Sequence, residues 1–157
     1  MRGTRYPALS AVLPHAGSMV LLTRIVQHAE DRTVCAVDVS AASAFHVAPH
    51  GVPAWVGVEY MAQCIAAHGG LRAWTVDEPV PLGVLLGSRA IEFHAARFVA
   101  GQSLNVDARR VWGRSELFAF ACSVTDAATG APLVTGSLTV RRADPRGLHA
   151  LDGSATR

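Results

Sequence analysis

Apolar and polar positions change rhythm along the 157-residue chain, and each change marks an element. The opening MRGTRYPALSAVLPHAGS holds Pro7, Pro14 and Gly17 and follows no period, so it reads as an irregular arm with at most one turn of helix. MVLLTRIVQHAED predicts a strand from Met19 to His28, closed by a polar turn at Ala29–Arg32. In TVCAVDVS, Cys35, Val37 and Val39 alternate with Val34, Ala36 and Asp38, the period of a strand, and the two segments predict a hairpin. SAASAFHVAPHG is a loop of small residues. Trp55 to His68 has helical length and good helix formers, with Pro53 placed as in a first helical turn and Gly69-Gly70 as a stop. Three or four long antiparallel strands follow. PLGVLLGSRAIEF opens them; QSLNVDARRVW alternates on Leu104, Val106 and Ala108, and SELFAFACSV on Phe118, Phe120, Cys122 and Val124. After the turn TDAATG, the last strand puts Val134, Leu138 and Val140 on one face. From Ala143 the pattern is lost and a loose tail is expected.

The predicted helix is apolar nearly all round, and such a helix is buried. One buried helix among antiparallel strands needs a sheet wrapped around it. That is an α+β chain of hotdog architecture, a single domain over residues 1–142 with a tail over 143–157. A single copy leaves an edge strand and part of the helix uncovered, so pairing into dimers with a continuous sheet is expected.

Composition narrows the function. Half the residues are hydrophobic, enough for a core without staples. The net charge of +2 argues against a nucleic-acid binder. Cys35, Cys64 and Cys122 are far apart and form no zinc spacing, so they read as buried free thiols in a reducing compartment. The N-terminal apolar run is too short and too proline-broken for a signal peptide, and no stretch resembles a membrane span. The expected setting is soluble and cytoplasmic, with no metal site.

Between Asp38 and Arg72 the only full charge is Glu59, in the middle of the predicted helix. Val56, Val58, Met61 and Ala62 surround it, and no arginine lies within helical reach. A carboxyl buried there would stay protonated and serve as a general acid near neutral pH. Gln63, one turn on, is placed to hold Glu59 by a hydrogen bond or to satisfy a loop backbone group. A matching base is a histidine: His46 and His50 in the loop before the helix, or His15 in the arm. His28, His68, His94 and His149 sit at turns, ends or the tail.

These segments resemble the beta-hydroxyacyl-acyl-carrier-protein dehydratases. LPHAGSMVLLTRIV is similar to their Leu-Pro-His segment and first strand, and VPAWVGVEYMAQ to their central helix, with Met61-Ala62-Gln63 intact. GSRAIEFHAARFVAGQSLNV and DAATGAPLVTGSLTV are similar to later strands, so the likeness spans roughly residues 12 to 141. The resemblance implies a hotdog fold and elimination of water from a 3-hydroxyacyl thioester on an acyl carrier protein. It implies that a loop histidine removes the alpha proton while the helix carboxylate of the other subunit assists departure of the hydroxyl. Glu59 takes the second role. His46 falls one residue closer to the glutamate than the family pattern, because SAFHVAPHG replaces the usual loop. The helix and LLGSR most resemble a divergent branch found with aryl polyene and related polyketide pathways. That branch often lacks the loop histidine but keeps Leu-Pro-His, which makes His15 the rival base and allows one half of a heteromeric dehydratase.

The implied chemistry needs no metal or redox cofactor, the substrate being carried on phosphopantetheine. A backbone N–H near Val56 or Gly57 is placed to stabilise the thioester oxygen, or else Gly57 only lets the helix pack closely. Arg72, Arg89, Arg97, Arg109, Arg110 and Arg114 are candidates to meet an acidic carrier protein or a phosphate. Two rivals stand beside the dehydratase: a non-catalytic hotdog partner that completes another subunit's site, and a hotdog thioesterase.

Overall fold

The computed structural model describes residues 5–143. Two 3-10 turns, Leu9–Ala11 and Gly17–Met19, punctuate the arm. Strands β1 (Arg24–His28) and β2 (Arg32–Asp38) form the expected hairpin. A two-residue strand β3 (Val52–Pro53) leads into helix α1 (Val56–Thr75). Then come β4 (Leu82–Phe93), the short β5 (Arg97–Phe98), β6 (Ser103–Arg114), β7 (Leu117–Asp126) and β8 (Pro132–Ala143). Six strands make one antiparallel sheet in the order β1-β2-β6-β7-β8-β4, while β3 pairs with β5.

The sheet's inner face carries the side chains that the period of two selects. Leu104, Val106 and Ala108 of β6 are fully buried. They join Phe120, Cys122 and Val124 of β7 and Val134 and Leu138 of β8 in one core against Tyr60, Met61, Cys64 and Leu71 of the helix. All three cysteines are free and buried there. Burial pushes the Cys122 thiol up to about 12, with Asp107 adding to it.

Three expectations are corrected. The first strand begins at Arg24 rather than Met19, because Met19 O and Leu21 N–H bond to the Gln63 side chain and not to a neighbouring strand. Pro53 lies in β3, ahead of the helix and not in its first turn. The helix runs through Gly69-Gly70 to Thr75. There Gly70 serves contact rather than termination: a Cβ on it would stand 1.8 Å from Val12 O. The arm crosses the helix at that point, with Leu9, Val12 and Leu13 buried beneath it. The tail expected beyond residue 143 lies outside the described residues.

The helix packs mainly on β2, β6 and β7 and touches β8 and β4 less. β4 is also an edge of the sheet, and nearly every residue in it is exposed, Val84, Leu85, Leu86 and Phe93 included. A twelve-residue apolar edge of this kind is a pairing surface. No helix among the described residues is long and apolar enough to cross a membrane.

Candidate functional site

Glu59 sits in the first turn of α1. Its side chain is 43% exposed, which corrects the expectation of a buried carboxyl. In the single chain, its side of the helix opens onto a cavity of about 590 Å³ rather than onto core.

Gln63, one turn on, is completely buried and fully bonded. Its Oε1 accepts the Leu21 N–H at 3.0 Å, which fixes the orientation of the amide. Its Nε2 then donates to Met19 O at 2.7 Å and to Glu59 Oε1 at 3.1 Å. Both alternatives read from the sequence are realised at once: Gln63 holds Glu59 and satisfies the arm's backbone. Every one of these bonds stays inside the fold.

The same arm carries His15. Its Nε2 lies 3.7 Å from Glu59 Oε1, its side chain is 28% exposed, and its Nδ1 is buried without a partner. Residues 59, 63 and 70 fall within about 40° of one another around the helix at 3.6 residues per turn. That one face therefore pins the arm on both sides of His15, through Val12 against Gly70 and through Met19 and Leu21 on Gln63. His15 and Glu59 both line the cavity, along with Ala62, Ile65, Leu85 and Phe120.

The other candidates lie elsewhere. His46 is half-buried in the loop before the helix and His50 is exposed; neither lines this cavity. Val56 and Gly57 are buried outside it. The Gly57 N–H already donates to Ala54 O at 2.9 Å. A Cβ on Gly57 would stand 3.1 Å from both Phe98 Cζ and Val134 Cγ2, so close packing accounts for this glycine.

One residue escaped the reading of the sequence. His68 was placed at a helix end, but the longer helix makes it interior, 3% exposed and in the cavity wall. Its Nδ1 and the Nδ1 of His28 each bond the buried Thr33 hydroxyl at 2.8 Å. Burial, then His28, Arg72 and Arg110, lower the pKa of His68 to about 4, which keeps it neutral. An apolar helix longer than the Gly-Gly pair suggests was the available signal.

An imidazole beside a carboxyl on an apolar cavity is an arrangement for moving a proton to and from a bound molecule. Known proteins share this fold. The dehydratase heterocomplex ApeI:P from Xenorhabdus doucetiae matches with a TM-score of 0.87 and 28% identity, over 96% of this chain and 100% of that one. AziG from S. sahachiroi matches with a TM-score of 0.57 and 21% identity, over 76% and 89%. A hypothetical thioesterase from Streptococcus pneumoniae TIGR4, solved with coenzyme A, gives 0.55 and 15%, over 76% and 84%. The last two show the hotdog fold alone. No curated protein matches. The ApeP-like family, described as ApeP dehydratase, matches residues 7–150. With nearly the whole described chain inside that match, the protein belongs to the ApeP-like dehydratase family.

Proposed function

We propose that this chain removes water from 3-hydroxyacyl thioesters carried on the phosphopantetheine of an acyl carrier protein, with His15 as base and Glu59 as acid. The observation that carries the reading is the 3.7 Å approach of His15 Nε2 to Glu59 Oε1 on the wall of a largely apolar cavity.

The thioester carbonyl acidifies the alpha carbon. Neutral His15 takes the alpha proton at Nε2, and the electron pair of that C–H bond becomes the new C2–C3 double bond. The C3–O bond breaks as protonated Glu59 gives its proton to the departing hydroxyl, which leaves as water. His15 is then an imidazolium and Glu59 a carboxylate; a proton passing between them restores both. Gln63 orients the carboxyl group, its Nε2 donating to Oε1. No electron is gained or lost, so the elimination calls on no redox cofactor.

The working unit is a dimer of hotdog subunits, a second copy or a different chain. The exposed apolar β4 edge and the 43% exposure of Glu59 support it. The ApeI:P structure, a dehydratase heterocomplex by its description, favours an unlike partner. The openness of Glu59 to a partner also supports a second reading, in which the His46 loop of the neighbouring subunit supplies the base.

The test follows the mass of a 3-hydroxyacyl carrier-protein thioester incubated with the purified chain. Loss of one water, abolished by Glu59→Gln, is expected. Free acid and thiol in place of enoyl thioester would make the protein a thioesterase. Intact substrate with a folded protein would make it a non-catalytic partner subunit.

A further inference from the structure

The dyad occupies one end of the cavity. The other end is lined by Arg72, Arg110, Arg141 and Arg142 and by one acid, Glu78, with His68 in the wall; Arg72, Arg141 and Arg142 are exposed and Arg110 is half-buried. Arg141 meets Glu116 at 3.6 Å; the other ion pairs among the described residues involve none of the remaining three. Arg72 and Arg110 flank His68 from two elements, α1 and β6, with Asp31 the one acid acting on it. His68 Nε2 is buried without a partner. Between the two ends the wall is apolar: Ala62, Ile65, Ala66, Leu85, Phe120 and Val140.

Building on the dehydratase reading, we propose that this end of the cavity recognises the far end of the acyl chain. There Arg72 and Arg110 take a terminal group that bears a hydrogen-bond-accepting oxygen, a hydroxyl or a carboxylate.

Two parts of a thioester substrate are long enough to run from Glu59 to the arginines. The pantetheine arm carries two amides, and the stretch of Ala62, Ile65, Ala66, Leu85, Phe120 and Val140 offers them no side-chain hydrogen-bond partner, so burying them against it would leave them unsatisfied. An acyl chain lies on the same wall without that cost. A plain alkyl end would then face two guanidinium groups that it cannot pair. An oxygen there completes charge-assisted hydrogen bonds.

The helix supplies the ruler. At 1.5 Å per residue, His68 lies about 13 Å and Arg72 about 20 Å beyond Glu59. Helix side chains lean toward the N-terminus, which brings the Arg72 head back toward His68. An extended chain advances about 1.2 Å per bond, so the oxygen sits about eleven to fourteen bonds beyond the reacting carbons.

The test offers the full chain three 3-hydroxyacyl pantetheine thioesters of that length, ending in methyl, hydroxyl or carboxylate. The wild type is expected to favour carboxylate over methyl by about tenfold or more in kcat/KM, with hydroxyl between. In Arg72→Gln/Arg110→Gln the ratio is expected to fall to about one. Equal turnover of the three, or a preference that survives the double substitution, overturns the proposal. If none is turned over, the dehydratase reading fails while this one is still decided. The same ratio is then read as calorimetric Kd, where a preference for the carboxylate lost in the double variant upholds the site and equal affinities reject it.

Discussion

Gly70→Ala sets two effects against each other. Alanine in a helix interior is worth about 1 kcal/mol more than glycine, which predicts stabilisation. The added Cβ, however, would stand 1.8 Å from Val12 O, 2.7 Å from its carbonyl carbon and 3.0 Å from its Cα. Ordinary contact begins at 3.4 Å, so the arm must retreat by about 3.4 − 1.8 = 1.6 Å. The obstacle is backbone, which cannot rotate away, and Val12 itself is fully buried. Overpacking of this kind costs about 1–3 kcal/mol, enough to reverse the helix gain. Rate should suffer more than stability: His15 lies three residues beyond Val12, and a misplacement of about 1 Å at a reacting group costs on the order of 100-fold. Gly69→Ala is the comparison, since its Cβ would meet only Pro81 Cγ at 3.3 Å. Thermal melts are expected to show Tm down by roughly 2–8 °C for Gly70→Ala and not lowered for Gly69→Ala. Kinetics of enoyl formation should show kcat/KM down about 100-fold for Gly70→Ala. A Gly70→Ala protein with unchanged Tm and rate would refute the claim that this contact sets the arm.

Further outcomes follow from the same geometry. Gln63→Leu strands the Leu21 N–H and Met19 O and should lose about 2–4 kcal/mol in urea denaturation, with a larger loss of activity as Glu59 is released. The folded pKa of His68, about 4, lies below the ordinary 6.5, so the unfolded chain binds its proton first as pH falls. The stability linked to His68 is therefore complete above about 6.5 and is lost toward pH 4, on the order of 3 kcal/mol in all; denaturation at several pH values should show a slope that His68→Asn flattens. Leu86→Lys on β4 should abolish pairing with the partner subunit, whether a second copy or a different chain, read as the mass of the complex by light scattering; an unchanged mass would place the pairing edge elsewhere.

Much of the fold was legible because its strands are half-buried. In β6, β7 and β8 one face meets the helix, so Leu104, Phe120 and Leu138 mark it by alternation alone. β4 carries no such mark, since every residue in it but Ile91 is exposed in a single chain. The Gly69-Gly70 stop misled because glycine signals both a chain break and a close approach, and only the crossing arm decides between them. Glu59 stood out as a lone charge, but its exposure depends on a gap between helix and sheet that no local pattern records. The choice of base was illegible for the same reason. His46 is nearer to Glu59 along the chain than His15 is. It is the folding back of the arm, held by Gln63, that brings His15 to 3.7 Å.

The His15–Glu59 pair is tested most directly by kcat/KM for enoyl formation in His15→Asn, His46→Asn, Glu59→Gln and the His15→Asn/Glu59→Gln double variant. The account predicts losses of about 10²–10⁴ for His15→Asn and for Glu59→Gln, a double loss well short of their product, and most activity kept in His46→Asn. Activity that survives in His15→Asn and vanishes in His46→Asn would contradict it and move the base to the neighbouring subunit's loop.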